Sequence, residues 1–283
     1  MSLLDRARVT RNWDPEAFRP FHVGGRRVGW VTLALARRLA DFAEILVSGE
    51  RLGLDPRIAG FEAMTRAMEA VHAGLIESGH ARPPRNERYP VLRSWQEVPA
   101  LAVDRALVPL FGLRSYGVHL NGYLWRDGRL HLWIGRRSPH KQTAPGKLDH
   151  LVAGGQPMGL TPMQNLLKEC AEEASLPAEI ARRARPVGLV TYLCRFTDGQ
   201  RDDVLFCYDL EVPEDFTPTP GDDEVSEFLL LPVEAVRHRL AETEDFKFNV
   251  ALVTIDFLIR RGLVGPEEPG YEEILHCLRS GGD

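Results

Sequence analysis

The stretch that most constrains this 283-residue chain runs from Gly154-Gly155, through Thr161-Pro162-Met163-Gln164, to Glu173-Ala174. Thr161 has the form of a helix N-cap. Pro162 suits the first helical position, where a missing N–H is no loss, and Gln164 completes a capping box. The cap sets the register of the helix behind it. Met163, Leu166, Leu167, Cys170, Ala171 and Ala174 fall at helical spacing and form a core-facing stripe. Glu169, Glu172 and Glu173 then crowd the remaining sector, Glu169 and Glu173 as i,i+4 neighbours. Like charges at this spacing destabilise an isolated helix by about 0.2–0.5 kcal/mol per pair. A divalent cation such as Mg²⁺ turns that repulsion into coordination, because hard ions select carboxylate oxygens. Acidic pairs on helices are ordinarily solvated faces. Here the cap, the apolar back and the preceding glycine turn favour a metal-dependent site for phosphate chemistry.

Bulk properties narrow the class. With 44% hydrophobic and 27% charged residues, the chain can bury a real core in one large or two modest domains. A net charge of −5 does not attract a polyanion, so nucleic acid is not an expected partner. Cys170, Cys194, Cys207 and Cys277 are widely spaced, without a Cys-x-x-Cys pair, and fit reduced thiols better than disulfides or a zinc site. The first residues lack a signal-peptide core, a transit peptide is not supported, and the apolar run at Val31–Leu35 breaks at Arg37-Arg38. A cytoplasmic location without membrane insertion is the expectation.

The texture of the chain divides near residue 110. Before it, Phe21 to Val28 reads as a hairpin around Gly24-Gly25, followed by helices over about Thr32–Leu46 and Pro56–Ser78. Ala81 to Asn86, with two prolines, is a rigid basic break. After residue 110, Val118–Trp125 and Arg129–Gly135 pair around Arg126-Asp127-Gly128. Val190–Phe196 and Asp203–Glu211 pair around Thr197-Asp198-Gly199-Gln200. A short strand at Phe228–Leu231, a helix near Val233–Ala241 and a closing amphipathic helix over Asn249–Arg260 complete the pattern. The expectation is an α/β (α+β) chain: an accessory α+β domain over 1–110 and an α/β/α sandwich over 111–283.

The acidic segment resembles the Nudix box: a glycine, five residues, an acidic position, seven residues, then Arg-Glu-apolar-x-Glu-Glu-x-Gly-apolar. Gly154 opens it, Glu169, Glu172 and Glu173 match its helix glutamates, and Cys170 and Leu176 fill its apolar positions. Leu160, Lys168 and Ser175 depart from it, and Lys168 cannot reproduce the bidentate contact of an arginine. Arg136-Arg137-Ser138, Lys141, Pro145 to Asp149 and Val152 to Gln156 are similar to the Nudix subgroup related to the amino-terminal part of fungal thiamine pyrophosphokinase. So are Arg85 to Val91, Glu224 to Phe228, Phe246 to Asn249 and Asp256 to Gly262. Members of that subgroup carry an extra amino-terminal domain, and the resemblance implies the sandwich fold.

The resemblance also implies a Mg²⁺-dependent hydrolase (Mn²⁺ being the alternative metal) acting on a small-molecule diphosphate. Its substrate would be thiamine diphosphate or an oxidised analogue, cleaved to the monophosphate. Glu169 and Glu173 are the expected direct ligands, with Glu172 holding a second metal or a metal-bound water and Gly154 offering a backbone carbonyl. A further glutamate from a later loop is expected at Glu224 or Glu227. Arg136, Arg137, Lys141 and Lys147 are candidates for pairing with phosphate oxygens, and Gln156 for contacting substrate; Asp149 either binds substrate or holds the turn. Tyr89, Trp125, Tyr192 and Phe196 are candidates for stacking on a flat heterocycle, while His140 and His150 read as ordinary polar residues. Competing readings are a hydrolase of nucleoside diphosphate derivatives, an isopentenyl diphosphate isomerase and a non-catalytic binding module. The helices and hairpin of the accessory domain fit a wall of the substrate pocket, a homodimer surface, or both.

Overall fold

A computed structural model describes residues 2–49, 51–196 and 199–281. After a capped first helix, α1 (Leu3–Arg8), the accessory part forms a hairpin, β1 (Phe18–Val23) and β2 (Arg26–Thr32). Then come α2 (Leu33–Leu39), β3 (Ile45–Ser48), β4 (Arg51–Leu54) and α3 (Phe61–Glu77). A second hairpin, β5 (Arg88–Val91) and β6 (Leu101–Asp104), leads to α4 (Leu107–Phe111). The first sheet has the order β2-β1-β4-β3, with β1 and β4 parallel. Phe21, Leu52, Met68, Val71 and Leu75 fill its core together with Tyr89, Val103 and Phe111.

The helix expected over Thr32–Leu46 is a correction. Thr32 caps it, its Oγ1 accepting from Leu35 N, but α2 ends at Leu39 and Ile45–Ser48 pairs with β4 as an edge strand. Phe42 is drawn out of helical register because its ring packs against Gly74 of α3, where a Cβ would stand 2.5 Å from Phe42 Cε1. Tertiary packing overrides the local apolar spacing. The later helix also starts further on, at Phe61, because Asp55 folds back on Arg57 and holds the preceding residues in a turn.

The second part opens with β7 (Arg114–Arg126) and β8 (Arg129–Arg137), followed by the short strands β9 (Leu148–Asp149) and β10 (Val152–Gly155). Helices α5 (Pro162–Ala174) and α6 (Ala178–Ala181) precede β11 (Arg185–Phe196), β12 (Gly199–Glu211) and β13 (Val225–Pro232). Three helices close the chain: α7 (Val233–Glu242), α8 (Phe248–Arg260) and α9 (Tyr271–Cys277). The sheet runs β11-β12-β7-β8-β13, with β10 on β7 and β9 on β8; β12 and β7 are parallel. The turn expected at Thr197-Asp198 lies outside the described residues.

Strand alternation divides the core. Leu130, Leu132 and Ile134 of β8 face α7 and α8, whereas Trp133 faces the layer under α5 with Val118, Leu120, Leu166 and Cys170. Helices thus cover both faces of the sheet, as the sequence pattern implies. Packing crosses residue 110 at several places: Leu3 and Ala7 of α1 pack into the core beneath α8, Phe111 and Leu113 belong to the first core, and Trp95 packs on Tyr116 and Phe206. Among the described residues no helix is long and apolar enough to cross a membrane.

Both halves of the expected capping box form at Thr161 and Gln164, with Pro162 first in α5. The helix ends at Ser175 in the left-handed region (φ 50°), and Leu176 N donates to Cys170 O. A side chain in that region costs about 1–2 kcal/mol relative to glycine. Ser175→Gly is therefore expected to stabilise the fold by about 1 kcal/mol, raising the midpoint of thermal unfolding by about 2–4 °C. An unchanged or lowered midpoint by calorimetry contradicts this account of the helix end.

Candidate active site

A cleft of about 1600 Å³ lies where β10, α5 and the start of α8 meet the β5–β6 hairpin of the accessory domain. Glu169, Glu172 and Glu173 all line it. Glu173 is only 7% exposed, and its Oε2 accepts a 3.0 Å hydrogen bond from Ala153 N. Among the described residues no cation pairs with it. Burial drives its carboxyl well above the usual range, the Ala153 N–H opposes this, and the negative charges of Asp149, Glu169 and Glu224 add to the rise.

Glu169 is also raised by burial, with Lys168 Nζ 3.5 Å away working in the opposite direction. Its side chain occupies space that only a glycine at 154 leaves open: a Cβ there would lie 2.3 Å from Glu169 Cδ. Glu172 stands apart from this buried pair. Its side chain is 50% exposed and sits 2.6 Å from Lys168 Nζ. Lys168, at the arginine position of the box, thus bridges Glu169 and Glu172 without reaching Glu173.

The remaining site residues divide. Glu224 lines the cleft, and although burial pushes its carboxyl up, its hydrogen bond to Lys141 and the charges of Lys141, Arg105 and Arg137 hold it below the usual range. Arg137 Nη1 donates to Asp149 Oδ2 at 2.8 Å, and Lys247 Nζ lies 3.7 Å from the same oxygen. Lys147 reaches Glu244 O. These three basic side chains and Lys141 line the cleft. Arg136 and Glu227 do not: they pair with each other across β8 and β13, which answers their charges without a ligand. Gln156 is a correction, being wholly buried, with Nε2 donating to Leu160 O at 2.7 Å. It braces the loop before α5 and does not reach a substrate. Trp125 is 52% exposed and lies outside the cleft, while Tyr89, Tyr192 and Phe196 line it.

Some lining residues, Arg105 and Asp203 among them, carry no local signal in the sequence, whereas Tyr89 is among the aromatic candidates. Arg105 and Tyr89 come from the accessory domain, with Arg105 stacked 5.7 Å over the Tyr89 ring and paired to Glu87 at 2.8 Å. Tyr89 Oη rests on the glycine turn so closely that a Cβ at Gly155 would stand 1.8 Å from it. Across the cleft, Asp203 accepts hydrogen bonds from Ser115 and Tyr192, and Phe248 packs on Phe196 with ring centroids 4.5 Å apart. Asn249 Oδ1 beside them is buried without a hydrogen-bond partner. One side of the cleft is therefore acidic and basic in alternation, and the other is aromatic with hydrogen-bond acceptors.

His150 is likewise not an ordinary polar residue. It is buried against His119, and the ligand atoms of His119, Asp149 and His150 lie within 4.8 Å of one another. A metal could accept such spacing, yet Asp149 is already met by Arg137, Lys247 and the His150 N–H. Glu169 and Glu173 are better suited. They offer hard oxygen donors, no cation pairs with Glu173 among the described residues, and Gly154 leaves the room in which the Glu169 side chain stands. Glu169, Glu173 and, at the rim, Glu172 would hold a divalent ion.

A mixed α/β sandwich with a glycine turn and a capped acidic helix beside a charged cleft is the arrangement of a Nudix-type domain. Comparison with known proteins agrees. Residues 120–251 match the family model described as NUDIX domain, and residues 2–115 match one described as Domain of unknown function (DUF4743). Nudix hydrolase 24, chloroplastic, of Arabidopsis thaliana is 44% identical over 267 residues, covering 93% of this chain and 73% of that protein. Nudix hydrolase 20, chloroplastic, of the same plant is 42% identical over 273 residues with the same coverage. A crystal structure of DR0079 from Deinococcus radiodurans superposes with a TM-score of 0.47 at 26% identity, over 60% of this chain and 98% of that one. The chain belongs to the Nudix hydrolase family.

Metal binding is sensitive both to the burial of the two glutamates and to the glycine beside them. Glu173 and Glu169 hold their protons to higher pH than free glutamates, and a metal must displace those protons. Mn²⁺ affinity, read by titration calorimetry, is expected to fall as pH is lowered, approaching about tenfold per pH unit for each proton displaced. A flat profile between pH 8 and 5 contradicts the assignment. Gly154→Ala is expected to push Glu169 aside and weaken Mn²⁺ binding by about 10- to 100-fold, with little change in the circular dichroism spectrum.

Proposed function

We propose that this Nudix hydrolase cleaves a diphosphate linkage of a small phosphorylated metabolite in the cleft, using Mg²⁺ or Mn²⁺ held by Glu169 and Glu173. The observation that carries the reading is Glu173, a buried carboxylate with one hydrogen bond and no ion-pair partner among the described residues, facing a cleft lined by basic groups. A bound divalent ion supplies charge neutralisation for the phosphates and a lower pKa for an attacking water. The chain's own residues supply the rest. Lys141, Arg137, Lys147 and Lys247 on the Nudix side and Arg105 on the accessory side offer donors to the phosphate oxygens. Their internal partners, Glu224, Asp149 and Glu87, keep them ordered before substrate arrives. Glu224 is the candidate further acid from a later loop, and Glu172 at the rim is free to exchange Lys168 for a second ion or its water.

The same proposal takes thiamine diphosphate, or an oxidised analogue of it, as the substrate, cleaved to the monophosphate. Support comes from the aromatic side of the cleft. Phe196 and Phe248 suit a flat ring, while Asp203 is an acidic acceptor suited to an amine-bearing or cationic heterocycle. A nucleoside diphosphate derivative carries a flat base as well and belongs in the same test.

The purified protein would be incubated with Mg²⁺ or Mn²⁺ and a panel of thiamine diphosphates, nucleotide sugars, dinucleotides and isopentenyl diphosphate, with product masses followed. Turnover of a thiamine diphosphate to its monophosphate is expected, and Glu173→Gln is expected to reduce kcat by at least about 10³-fold. Tight metal-independent binding without turnover of any member would overturn the hydrolase reading, and turnover confined to another class would overturn the substrate.

A further inference from the structure

The pair of buried histidines beside the metal site has a defined proton arrangement. His119, on β7, is 3% exposed, and its Nδ1 lies 2.9 Å from Nδ1 of His150. At that distance one ring nitrogen donates and the other accepts. Thr254 on α8 decides which. Its hydroxyl donates its single proton to Val250 O at 2.8 Å, so its oxygen can only accept from His150 Nε2, 3.2 Å away. His150 therefore carries its proton on Nε2 and presents a lone pair at Nδ1. His119 must then be the donor, with its proton on Nδ1 and its own lone pair on Nε2.

Both rings stay neutral. Burial lowers His119 well below the ordinary range, helped by the charges on His150 and Lys247, and burial takes His150 to about 4 despite Asp149. His119 Nε2 has no hydrogen-bond partner among the described residues, is not one of the sealed polar atoms, and belongs to a side chain that lines the cleft. Strand register sets its backbone beside that of the glutamate site, and alternation with Val118 and Leu120 turns its ring to the α8 face, where it lines the same cleft. His119 pairs with Ala153 across β7 and β10, and Ala153 N is the donor that holds Glu173. A histidine pair serving only the core would close both ends of its hydrogen-bond chain. Here Val250 O closes the inner end, and the outer end is a lone pair without a partner among the described residues, on a residue that lines the cleft shared with Glu169 and Glu173.

We propose that His119 Nε2 accepts a hydrogen bond from the water that attacks the diphosphate and takes its proton, with His150 and Thr254 as positioning residues that keep that nitrogen free. As the water oxygen bonds to phosphorus, its O–H bond breaks and the proton passes to Nε2. The bridging P–O bond breaks with its electron pair going to the departing phosphate, which receives the proton from the imidazolium. A ring held neutral offers the acceptor throughout the neutral pH range, and the negative charge of a bound diphosphate offsets the burial that weakens it as a base. The proposal rests on the cleft being a diphosphate hydrolysis site.

The test joins a spectroscopic readout to kinetics. Long-range ¹H–¹⁵N spectra of the metal-free protein are expected to show His119 protonated on Nδ1 and bare on Nε2. Thr254→Val removes the acceptor for His150 Nε2–H, so the chain is expected to reverse and place a proton on His119 Nε2. That variant should lose kcat while KM and Mn²⁺ affinity stay within about twofold, although Thr254 is fully buried. His119→Ala should lower kcat by about 10²–10⁴-fold with Mn²⁺ affinity retained. Wild-type turnover with full kcat in His119→Ala, or a wild-type spectrum with the proton on His119 Nε2, overturns the proposal alone. No turnover by the wild type of any diphosphate in the panel overturns the hydrolase reading and this proposal with it.

Discussion

A buried carboxylate with no ion-pair partner among the described residues constrains this molecule more than any other group. Glu173 is removed from water between α5 and β10, receives one backbone N–H, and has Glu169, Asp149 and Glu224 as its acidic neighbours, with the Lys247 cation beyond ion-pair distance. Water would solvate such a group far better than the protein does, so the fold carries it only by keeping it protonated or by giving it a cation. The surroundings serve that single group. Ala153 offers its N–H from β10, Gly154 withholds a side chain so that Glu169 can stand beside it, and the capping box sets the helix turn on which both carboxylates lie.

The accessory domain is part of the same arrangement. Tyr89 presses its hydroxyl against Gly155, and Arg105 brings a cation from outside the Nudix sheet to the cleft wall. Arg85 Nη2 donates to Gln142 Oε1 at 2.8 Å, tying the basic break between the domains to the loop after β8. α1 runs the other way along the chain, packing its leucine and alanine under α8. The two parts therefore share both a cleft and a stretch of core, and a change on either side reaches the site. Far from the cleft, Arg260 links Asp209 and Asp256, so the buried end of α8 is held by paired charges. Its beginning, at Lys247 to Asn249, is left to face the cleft.

Much of the second domain was legible from residues alone because its signals are local. Alternation along Leu130, Leu132 and Ile134 told which side of β8 is core, and Thr161-Pro162 marked the start of α5 to the residue. The failures were equally physical. The apolar spacing over 32–46 suits a helix, but Phe42 finds its partner on α3 and Ile45–Ser48 finds β4, both distant in sequence. Among site residues, Glu169 and Glu173 could be named from spacing. Gln156 could not be told from a substrate ligand, since only the folded loop shows the side chain wholly buried with its Nε2 donating to Leu160 O. Arg136 and Glu227 looked like separate candidates because nothing in the chain reveals that strand pairing sets them face to face.

The sequence by itself determined the acidic helix: its cap, its register, its apolar back and the glycine before it lie within about twenty residues and interact through one turn of backbone. The tertiary structure alone decided what that helix faces. His119 meets His150 through β7, Arg105 and Tyr89 arrive from another domain, and Asp203 and Asn249 come from β12 and α8. These encounters depend on strand register and domain packing between residues far apart in the chain. Residue spacing carries no record of them, because long-range contacts are chosen by the burial of whole faces and not by neighbouring side chains.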